Sequence, residues 1–208
     1  MSQTKRLVLW RHGQTTWNAE NRFQGQTDIP LNEIGEAQAE RAARMVAAFG
    51  PEKIFSSDLQ RAVNTAAPLA RLTGLPVTQD KDLRERSGGA WEGLTDAQIR
   101  ERYPAEHATW DAPDGESRSA VMDRVSGALT RIAEQVSEDG VAVVVSHGAA
   151  IRLGMERFLG LTDGQFGMLG PMSNCTWSVL GLRHGKWRIL EYNAGNLPEP
   201  VLGDDANA

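Results

Sequence analysis

The sequence predicts a three-layer α/β/α fold, in which a mostly parallel central sheet lies between two layers of helices. Short apolar runs typical of strands alternate with amphipathic or alanine-rich runs typical of helices, an order that favours parallel pairing. Residues 141–146 form an apolar run, as expected for a strand buried on both faces. No repeat or linker divides residues 1–194, which we expect to form one domain followed by a flexible tail over 195–208.

The first predicted strand covers residues 7–10 and leads directly into Arg11, His12 and Gly13. Residues 14–32 show no periodicity and predict a long loop, and long loops in compact domains tend to be functional. Residues 33–49 are rich in alanine and predict a helix that Gly50-Pro51 ends. We expect the buried side of this helix to carry Ile34, Ala37, Met45 and Phe49.

A second strand is predicted at residues 53–57, and Asp58 is expected to cap the following helix, which Pro68 should kink. A third strand is predicted at residues 75–78. A glycine-rich loop follows Glu85, and Thr95-Asp96-Ala97-Gln98 is a capping box that opens a short helix. Residues 105–117 are expected to be irregular.

The next helix has Val121, Val125, Leu129, Ile132 and Val136 on one face, and its charged residues are expected to form the solvated side. After the strand at 141–146 comes a helix at about 149–159. Residues 175–182 and 187–192 predict a closing hairpin.

Composition excludes several function classes. A net charge of −5 argues against general binding to nucleic acid or to an anionic membrane surface. The sequence has no apolar run long enough to cross a bilayer and only one cysteine, Cys175, which we expect to be packed in the core; both features predict a cytoplasmic location. The four histidines are widely spaced and show no metal-ligand pattern, so we expect no metal, and we expect His107 and His184 to be exposed.

The residues that follow the predicted parallel strands are candidates for catalysis. The carboxyl ends of parallel strands meet at one edge of the sheet, so Arg11, His12, Arg61, Glu85 and His147 should lie together. Arginines match the geometry of phosphate oxygens, and a neutral imidazole among fixed cations is a competent nucleophile. A carboxylic acid can protonate a leaving alkoxide and then accept a proton from water. The sequence thus predicts phosphate-ester chemistry through a phosphohistidine, without a metal or other cofactor.

A series of ordered motifs resembles the histidine phosphatase superfamily, also called the phosphoglycerate mutase-like family. The resemblance covers about residues 6–150 and rests on motifs that include Arg11-His12-Gly13, Ser56-Ser57-Asp58-Leu59, Leu83-Arg84-Glu85, Trp91-Glu92-Gly93 and Ser146-His147-Gly148. It implies a phosphoglycerate mutase-like fold, with His12 as the phosphorylated nucleophile, Glu85 as the proton donor, and Arg11, Arg61 and His147 as ligands of the phosphoryl group. The further substrate contacts that the resemblance implies are Asn18, Gln24, Gly25, Gly148 and Arg86.

The same resemblance favours the phosphatase branch over the mutases, which tend to carry a long insertion between the acid and the second histidine. Here only 62 positions separate Glu85 from His147. Gly88 stands where related phosphatases usually have a bulky apolar residue, which predicts a wider pocket. Within the branch, several motifs are most similar to glucosyl-3-phosphoglycerate phosphatases, and Arg84 or Arg86 is a candidate partner for a substrate carboxylate, with a solvated arginine as the alternative.

Two other functions stay open at this stage. One is a bisphosphoglycerate-dependent phosphoglycerate mutase, and the other is a catalytically inactive phosphate-binding module. For Asn18 the alternative to substrate binding is a role in shaping the loop. The expected partner is a small phosphorylated molecule, and the resemblance also points to a homodimer with the closing strands as a candidate interface.

Overall fold

A computed structural model describes residues 4–161 and 167–195 and contains a six-stranded sheet. The strands are β1 (Arg6–Arg11), β2 (Lys53–Ser56), β3 (Val77–Gln79), β4 (Val141–Ser146), β5 (Trp177–Arg183) and β6 (Lys186–Ala194). Their order across the sheet is β3-β2-β4-β1-β5-β6; the first four are parallel, and β5 and β6 form an antiparallel hairpin at one side. The prediction of a mostly parallel sheet with a closing hairpin is confirmed.

Helices cover both faces of the sheet. They are α1 (Thr16–Ala19), α2 (Glu33–Ala47), α3 (Gln60–Thr73), α4 (Asp96–Arg102), α5 (Pro104–Thr109), α6 (Arg118–Glu134) and α7 (Gly148–Phe158). Side chains of α2 and α3 share one hydrophobic core with the sheet, and side chains of α6 and α7 share a second core on the opposite face. Across the described ranges, none of the helices combines the length and the apolar character needed to cross a membrane.

Alternation along β1 explains how a continuous apolar run serves both cores. Leu7 and Leu9 pack in the core with α6 and α7, whereas Val8 and Trp10 pack in the core with α2 and α3. Successive side chains of a strand point to opposite faces, so a strand covered on both faces must be apolar at every position. The same alternation holds in β4, which pairs with β1.

The pairing register brings three strand ends to one edge of the sheet. Arg11 pairs with Ser146, and Ser56 pairs with Val145. The chain leaves β1 and β4 through His12 and His147, which lie at the same level of the sheet, and it leaves β2 through Ser57, which lies one residue lower, level with Arg11 and Ser146. This register, rather than any local motif, is what brings residues more than one hundred positions apart into one site.

The buried face of α2 differs from the prediction. Ile34 is 52% exposed and Met45 is 42% exposed, and Ala37 is exposed as well, while Phe49 lies beyond the end of the helix and is half-buried. The buried residues are Gly35, Gln38, Ala39, Ala42, Ala43 and Val46. Small side chains let α2 approach the sheet and α3 closely. The side of α2 that faces the core is therefore the one with small residues and not the one with the largest apolar side chains.

The start of α3 also differs from the prediction. Leu59 occupies the N-cap position and makes no side-chain cap bond, while Asp58 binds the guanidinium of Arg84 through both oxygens at 2.7 and 2.6 Å. The first helical N–H group, that of Gln60, is bound instead by Asp28 Oδ1 at 2.8 Å. Two parallel bonds between charged groups are stronger than a single bond from a carboxylate to a backbone N–H group, which explains why Asp58 binds Arg84 instead of capping the helix. The helix continues through Pro68 to Thr73 without interruption.

Several local predictions can be compared with the structure directly. The capping box of Thr95 and Gln98 is present, and the face of α6 that carries Val121 and Ile132 is buried, as predicted. Residues 104–109 form α5 within the segment expected to be irregular, because Pro104 has the fixed backbone angle that suits a first helical position.

The exposure of Cys175 and of the two histidines outside the site agrees with the prediction except at His107. His107 is half-buried and bonds Asp96 Oδ1 at 2.8 Å, so the expectation that it is exposed was wrong. Cys175 is buried and His184 is exposed, as expected. The tail beyond Gly195 lies outside the described residues, and the domain boundary stays a prediction.

Candidate active site

Two buried histidines face each other at the carboxyl edge of the parallel strands. His12 follows β1 and His147 follows β4, and their exposed fractions are 2% and 0%. Their ring centroids lie 5.1 Å apart with the ring planes inclined at 62°. At this distance and inclination the two rings are in direct edge-to-face contact.

The ring of His12 is held in one tautomer by the chain itself. Nδ1 lies 2.7 Å from the carbonyl oxygen of Gly13, which can only accept a hydrogen bond, so Nδ1 carries the proton. Burial, followed by the nearby charges of Arg61 and Arg11, holds the pKa of His12 well below its usual value. The ring is therefore neutral near pH 7 and keeps the lone pair on Nε2, the atom that can attack an electrophile.

The second histidine is oriented by a guanidinium. Arg61 Nε donates to Nδ1 of His147 at 3.2 Å, so the proton of the neutral ring lies on Nε2, which donates to Ser57 Oγ at 2.9 Å. Burial, then the charge of Arg61, holds the pKa of His147 well below its usual value. The two histidines therefore have opposite tautomers, one with an Nε2 lone pair and the other with an Nε2 proton to donate.

Arg61 is fully buried and is fixed on three sides. Besides the bond to His147, Nη1 donates to the carbonyl oxygen of Thr27 at 2.9 Å and Nη2 donates to that of Gly25 at 2.7 Å. Gly25 has a φ of +52°, a conformation that favours glycine. The predicted substrate contact Gly25 therefore also holds the guanidinium at the site through its backbone.

Two buried donors at the site have no hydrogen-bond partner among the residues that the structure describes. They are Nε of Arg11, whose Nη1 donates to the carbonyl oxygen of Met172, and Nδ2 of Asn18. Oδ1 of Asn18 accepts from Thr15 N at 3.1 Å and from Asn174 Nδ2 at 3.2 Å, so this side chain shapes the loop with one end and leaves the other end unpaired. A buried donor without a partner costs about 1–3 kcal/mol, which indicates that an acceptor such as an anion completes the site.

The carboxylate of Glu85 is bound by the first turn of α7. It accepts from the N–H groups of Ala150 at 2.9 Å and Ala149 at 3.2 Å, and from its neighbour Arg86 at 2.8 Å. The helix begins at Gly148, which is itself buried and directly follows His147. The acid therefore lies at the N-terminus of α7, which directly follows the second histidine and where backbone N–H groups favour negative charge.

Gln24 and Arg86, which were also predicted to contact the substrate, form hydrogen bonds within the protein. Oε1 of Gln24 accepts from the hydroxyl of Thr15 at 2.9 Å, which places it in the loop beside Asn18. Arg86 instead bonds the 110–116 segment, donating to the carbonyl oxygens of Glu116 at 2.7 Å and Trp110 at 3.0 Å and to Asp111 at 3.2 Å. Burial, then the charge of Arg118, lowers the pKa of Arg86. Its contact with a substrate stays a prediction.

Three residues that support the site were missed by the sequence reasoning. Ser57 follows β2 at the carboxyl edge, and that position could have identified it. Asn174 donates to the carbonyl oxygen of His12 at 3.1 Å, but only the pairing of β5 with β1 brings it there. Arg124 was expected on the solvated side of α6, yet it donates to the carbonyl oxygens of Asp82, Arg84 and Glu85 at 2.8, 2.7 and 2.9 Å.

The ligand chemistry of the site is that of an anion. Over the described ranges, no group of three or more histidine, cysteine, aspartate or glutamate side chains is placed to hold a metal ion. Two guanidinium groups, two imidazoles and an unpaired amide converge instead, which suits a phosphate group that donates nothing and accepts several hydrogen bonds. The five candidate catalytic residues are thus gathered at one edge of the sheet; their chemical roles stay predictions.

Comparison with known proteins gives one consistent family. Residues 7–195 match the family model described as the histidine phosphatase superfamily, branch 1. A glucosyl-3-phosphoglycerate phosphatase from Mycobacterium tuberculosis is 39% identical over 213 residues, covering 92% of this chain and 96% of the relative. The solved structure of a mycobacterial glucosyl-3-phosphoglycerate phosphatase with VO3 has a TM-score of 0.86 at 38% identity, covering 91% of this chain and 99% of that one.

Other relatives carry different activities in their names. A metal-independent phosphoserine phosphatase from Arabidopsis thaliana is 35% identical, covering 90% of this chain and 81% of the relative. A probable phosphoglycerate mutase from Salmonella arizonae is also 35% identical, covering 87% and 86%. The family resemblance and the phosphoglycerate mutase-like fold expected from the sequence are confirmed by these comparisons.

Proposed function

The chain belongs to branch 1 of the histidine phosphatase superfamily and is a phosphatase of that family, and we propose that it hydrolyses a small phosphorylated metabolite through a phosphohistidine on His12. The observation that carries this proposal is the bond between His12 Nδ1 and the carbonyl oxygen of Gly13 at 2.7 Å. With that nitrogen protonated and the ring neutral, the lone pair of Nε2 is available for attack at phosphorus.

In the first step of the proposed reaction, His12 Nε2 forms a bond to phosphorus and the bond from phosphorus to the ester oxygen breaks. The proton of the Glu85 carboxylic acid goes to the departing alkoxide, which leaves as an alcohol. A phosphate dianion bound beside Glu85 favours the protonated acid, because two like charges at close range repel each other. The bond to Gly13 stabilises the positive charge that the phosphorylated ring acquires.

In the second step, Glu85 takes a proton from a water molecule whose oxygen attacks phosphorus, and the bond between phosphorus and Nε2 breaks. Inorganic phosphate leaves, and His12 returns to its neutral form. Arg11, Arg61 and the amide of Asn18 bind the equatorial oxygens in both steps. The Nε2–H group of His147, which donates to Ser57 Oγ in this structure, turns to the phosphoryl group. Phosphate-monoester hydrolysis can require a rate enhancement of up to ~10²¹-fold, and an acid supplies only about 10²–10⁴, so these fixed donors carry most of the stabilisation.

For the substrate, we propose a sugar phosphate or glycerate phosphate, with glucosyl-3-phosphoglycerate as the first candidate. The support is the similarity to phosphatases named for that compound, at 39% identity over nearly the whole chain. Arg84 is bound bidentately by Asp58, and Arg86 is bonded to the 110–116 segment, so both hydrogen-bond to protein groups in this structure. Their role toward a substrate carboxylate therefore stays a prediction, as do a homodimer and a cytoplasmic location.

Steady-state hydrolysis of p-nitrophenyl phosphate in the presence of a chelator tests this proposal. We expect turnover to survive the chelator and to disappear in His12→Ala, while His184→Asn, a change at an exposed turn histidine, leaves it intact. Full turnover in His12→Ala would remove His12 from the reaction. A panel of phosphorylated metabolites would then rank the substrates.

The mutase alternative rests on the relative named as a probable phosphoglycerate mutase. A coupled assay with 3-phosphoglycerate and bisphosphoglycerate separates the two reactions, because only a mutase accumulates the 2-phospho isomer. Absence of both activities over a wide panel would favour the inactive phosphate-binding module.

A further inference from the structure

Glu92 belongs to the loop of residues 85–93 and bonds both to that loop and to the loop of residues 24–28. Its Oε1 accepts from the N–H groups of Gln26 at 3.0 Å and Gly88 at 2.9 Å. Its Oε2 accepts from the N–H group of Thr27 at 3.0 Å and from the hydroxyl of Thr27. One carboxylate therefore receives four donors, three of them from the 24–28 loop.

The backbone of the 24–28 loop is packed tightly against this carboxylate. A Cβ atom on Gly25 would lie 2.1 Å from Glu92 Oε1, and Gly25 has a φ of +52°. A side chain is therefore excluded at position 25 both by space and by backbone conformation. The position of the Glu92 carboxylate and the path of the loop are thus fixed together.

The same loop holds Arg61 with its carbonyl groups. Gly25 and Thr27, which flank the N–H group that Glu92 binds at Gln26, accept from the two terminal nitrogens of Arg61 at 2.7 and 2.9 Å. Gln26 also donates through Nε2 to the carbonyl oxygen of Glu85 at 3.0 Å. The peptide group between Gly25 and Gln26 therefore binds Glu92 through its N–H and the guanidinium through its carbonyl oxygen, and Thr27 binds Glu92 through its N–H and hydroxyl and the guanidinium through its carbonyl oxygen.

We propose that Glu92 is a positioning residue for the phosphoryl-transfer step and acts through Arg61. It fixes the carbonyl groups of Gly25 and Thr27, and these fix the plane of the guanidinium that orients His147 and binds the transferring phosphoryl group. This inference rests on the proposed phosphatase reaction. It does not require Glu92 to contact the substrate.

The chemistry of the side chain explains why a carboxylate is needed at this position. A carboxylate presents only acceptors, and here it meets only donors. In Glu92→Gln, an amide NH₂ group would replace one oxygen and would face N–H groups of the same loop. The loop would have to shift, and a displacement of about 1 Å at a reacting group can cost about 10²-fold in rate.

A double-mutant cycle with Arg61 tests the proposal. We expect Glu92→Gln to lower kcat on p-nitrophenyl phosphate by about 10–100-fold with KM changed less than about 2-fold. In an Arg61→Ala background the same change should lower kcat less than about 2-fold, because the group through which Glu92 acts is gone. Glu40→Gln, at an exposed ion pair with Arg71 on the α2 surface, is the matched control and should leave kcat unchanged.

The outcomes separate this proposal from a purely structural role. An equal fall in kcat with and without Arg61, or a fall in thermal stability with kcat unchanged, would overturn it. If Glu92→Gln does not fold, Thr27→Val replaces it in the same cycle, since it removes one donor to Glu92 and keeps the side-chain volume. Failure of the proposed function would be seen separately, as full turnover in His12→Ala.

Discussion

The unpaired Nδ2 group of Asn18 leads to a prediction about two variants, Asn18→Ala and Asn18→Asp, in which the more stable variant is the less active one. Asn18→Ala removes the acceptor Oδ1 and the donor Nδ2 together, whereas Asn18→Asp keeps an acceptor in the same place and replaces only the donor. In the alanine variant Thr15 N would lose its acceptor, and Asn174 Nδ2 would keep only its bond to the carbonyl oxygen of His12. Each buried N–H group left unsatisfied costs about 1–3 kcal/mol, and removal of the unpaired Nδ2 of Asn18 offsets one such cost, so we expect the alanine variant to lose about 1–3 kcal/mol of unfolding free energy. The aspartate variant should stay closer to the wild type.

For activity the order is reversed if Nδ2 binds the phosphoryl group. Loss of one fixed donor to the reacting oxygens costs about 10²–10³-fold, and this applies to both variants. The aspartate adds a negative charge beside the phosphate, and at about 4 Å with an effective dielectric constant of about 20 the repulsion is about 4 kcal/mol, or about a further 10³-fold.

The assay is kcat/KM on p-nitrophenyl phosphate together with urea denaturation of both variants. We expect Asn18→Asp to be the more stable of the two and at least about 10-fold the less active. Asn64→Asp, at an exposed position of α3, controls for the general effect of the added charge. Equal activity of the two variants would refute the reasoning and leave Asn18 only the role of shaping the loop.

Two further predictions concern stability. Burial and nearby arginines hold the pKa values of His12 and His147 well below 6.5 in the folded protein. At a pH between these lowered values and 6.5, the unfolded chain therefore binds more protons than the folded protein. The free energy of unfolding should therefore fall as the pH drops from about 6.5 to 5, by up to about 1.4 kcal/mol per pH unit for each histidine, and His12→Asn should lessen the fall in urea titrations; an unchanged slope would contradict this. Gly154→Ala would place a Cβ 2.2 Å from Val125 Cγ1 between α7 and α6, and should cost about 1–3 kcal/mol in thermal unfolding. Gly127→Ala in α6, where the nearest atom is Arg131 Nη1 at 3.6 Å, should be neutral or stabilising, and equal destabilisation of both would argue against the close helix contact.

The strand-end residues of the site could be predicted from the sequence because their placement follows from topology. Arg11 and His12 follow one apolar run and His147 follows another, and parallel pairing of those runs is enough to bring them together. Arg61 and Glu85 were predicted on the same argument, although they lie a few residues beyond their strands.

Contacts that depend on side-chain reach across the fold could not be predicted. Arg124 lies in a helix segment whose pattern is typical of a solvated face, and Glu92 lies in a family motif to which the sequence assigned no role; in neither case does the sequence show that the side chain binds backbone groups at the site. The buried face of α2 was wrong for a related reason. A large apolar side chain favours burial, but the close packing of α2 on the sheet leaves room only for small residues on the buried side.

The position of the phosphoryl group on the trapped enzyme tests the central claim most directly. p-Nitrophenolate leaves without much help from an acid, so Glu85→Gln should slow the attack of water more than the attack of His12 and let the intermediate accumulate. After alkaline denaturation, ³¹P and ¹⁵N NMR should find phosphorus on Nε2 of His12, since Nδ1 is bound to the carbonyl oxygen of Gly13. Phosphorus on Nδ1 of that ring, or on any other residue, would contradict the account.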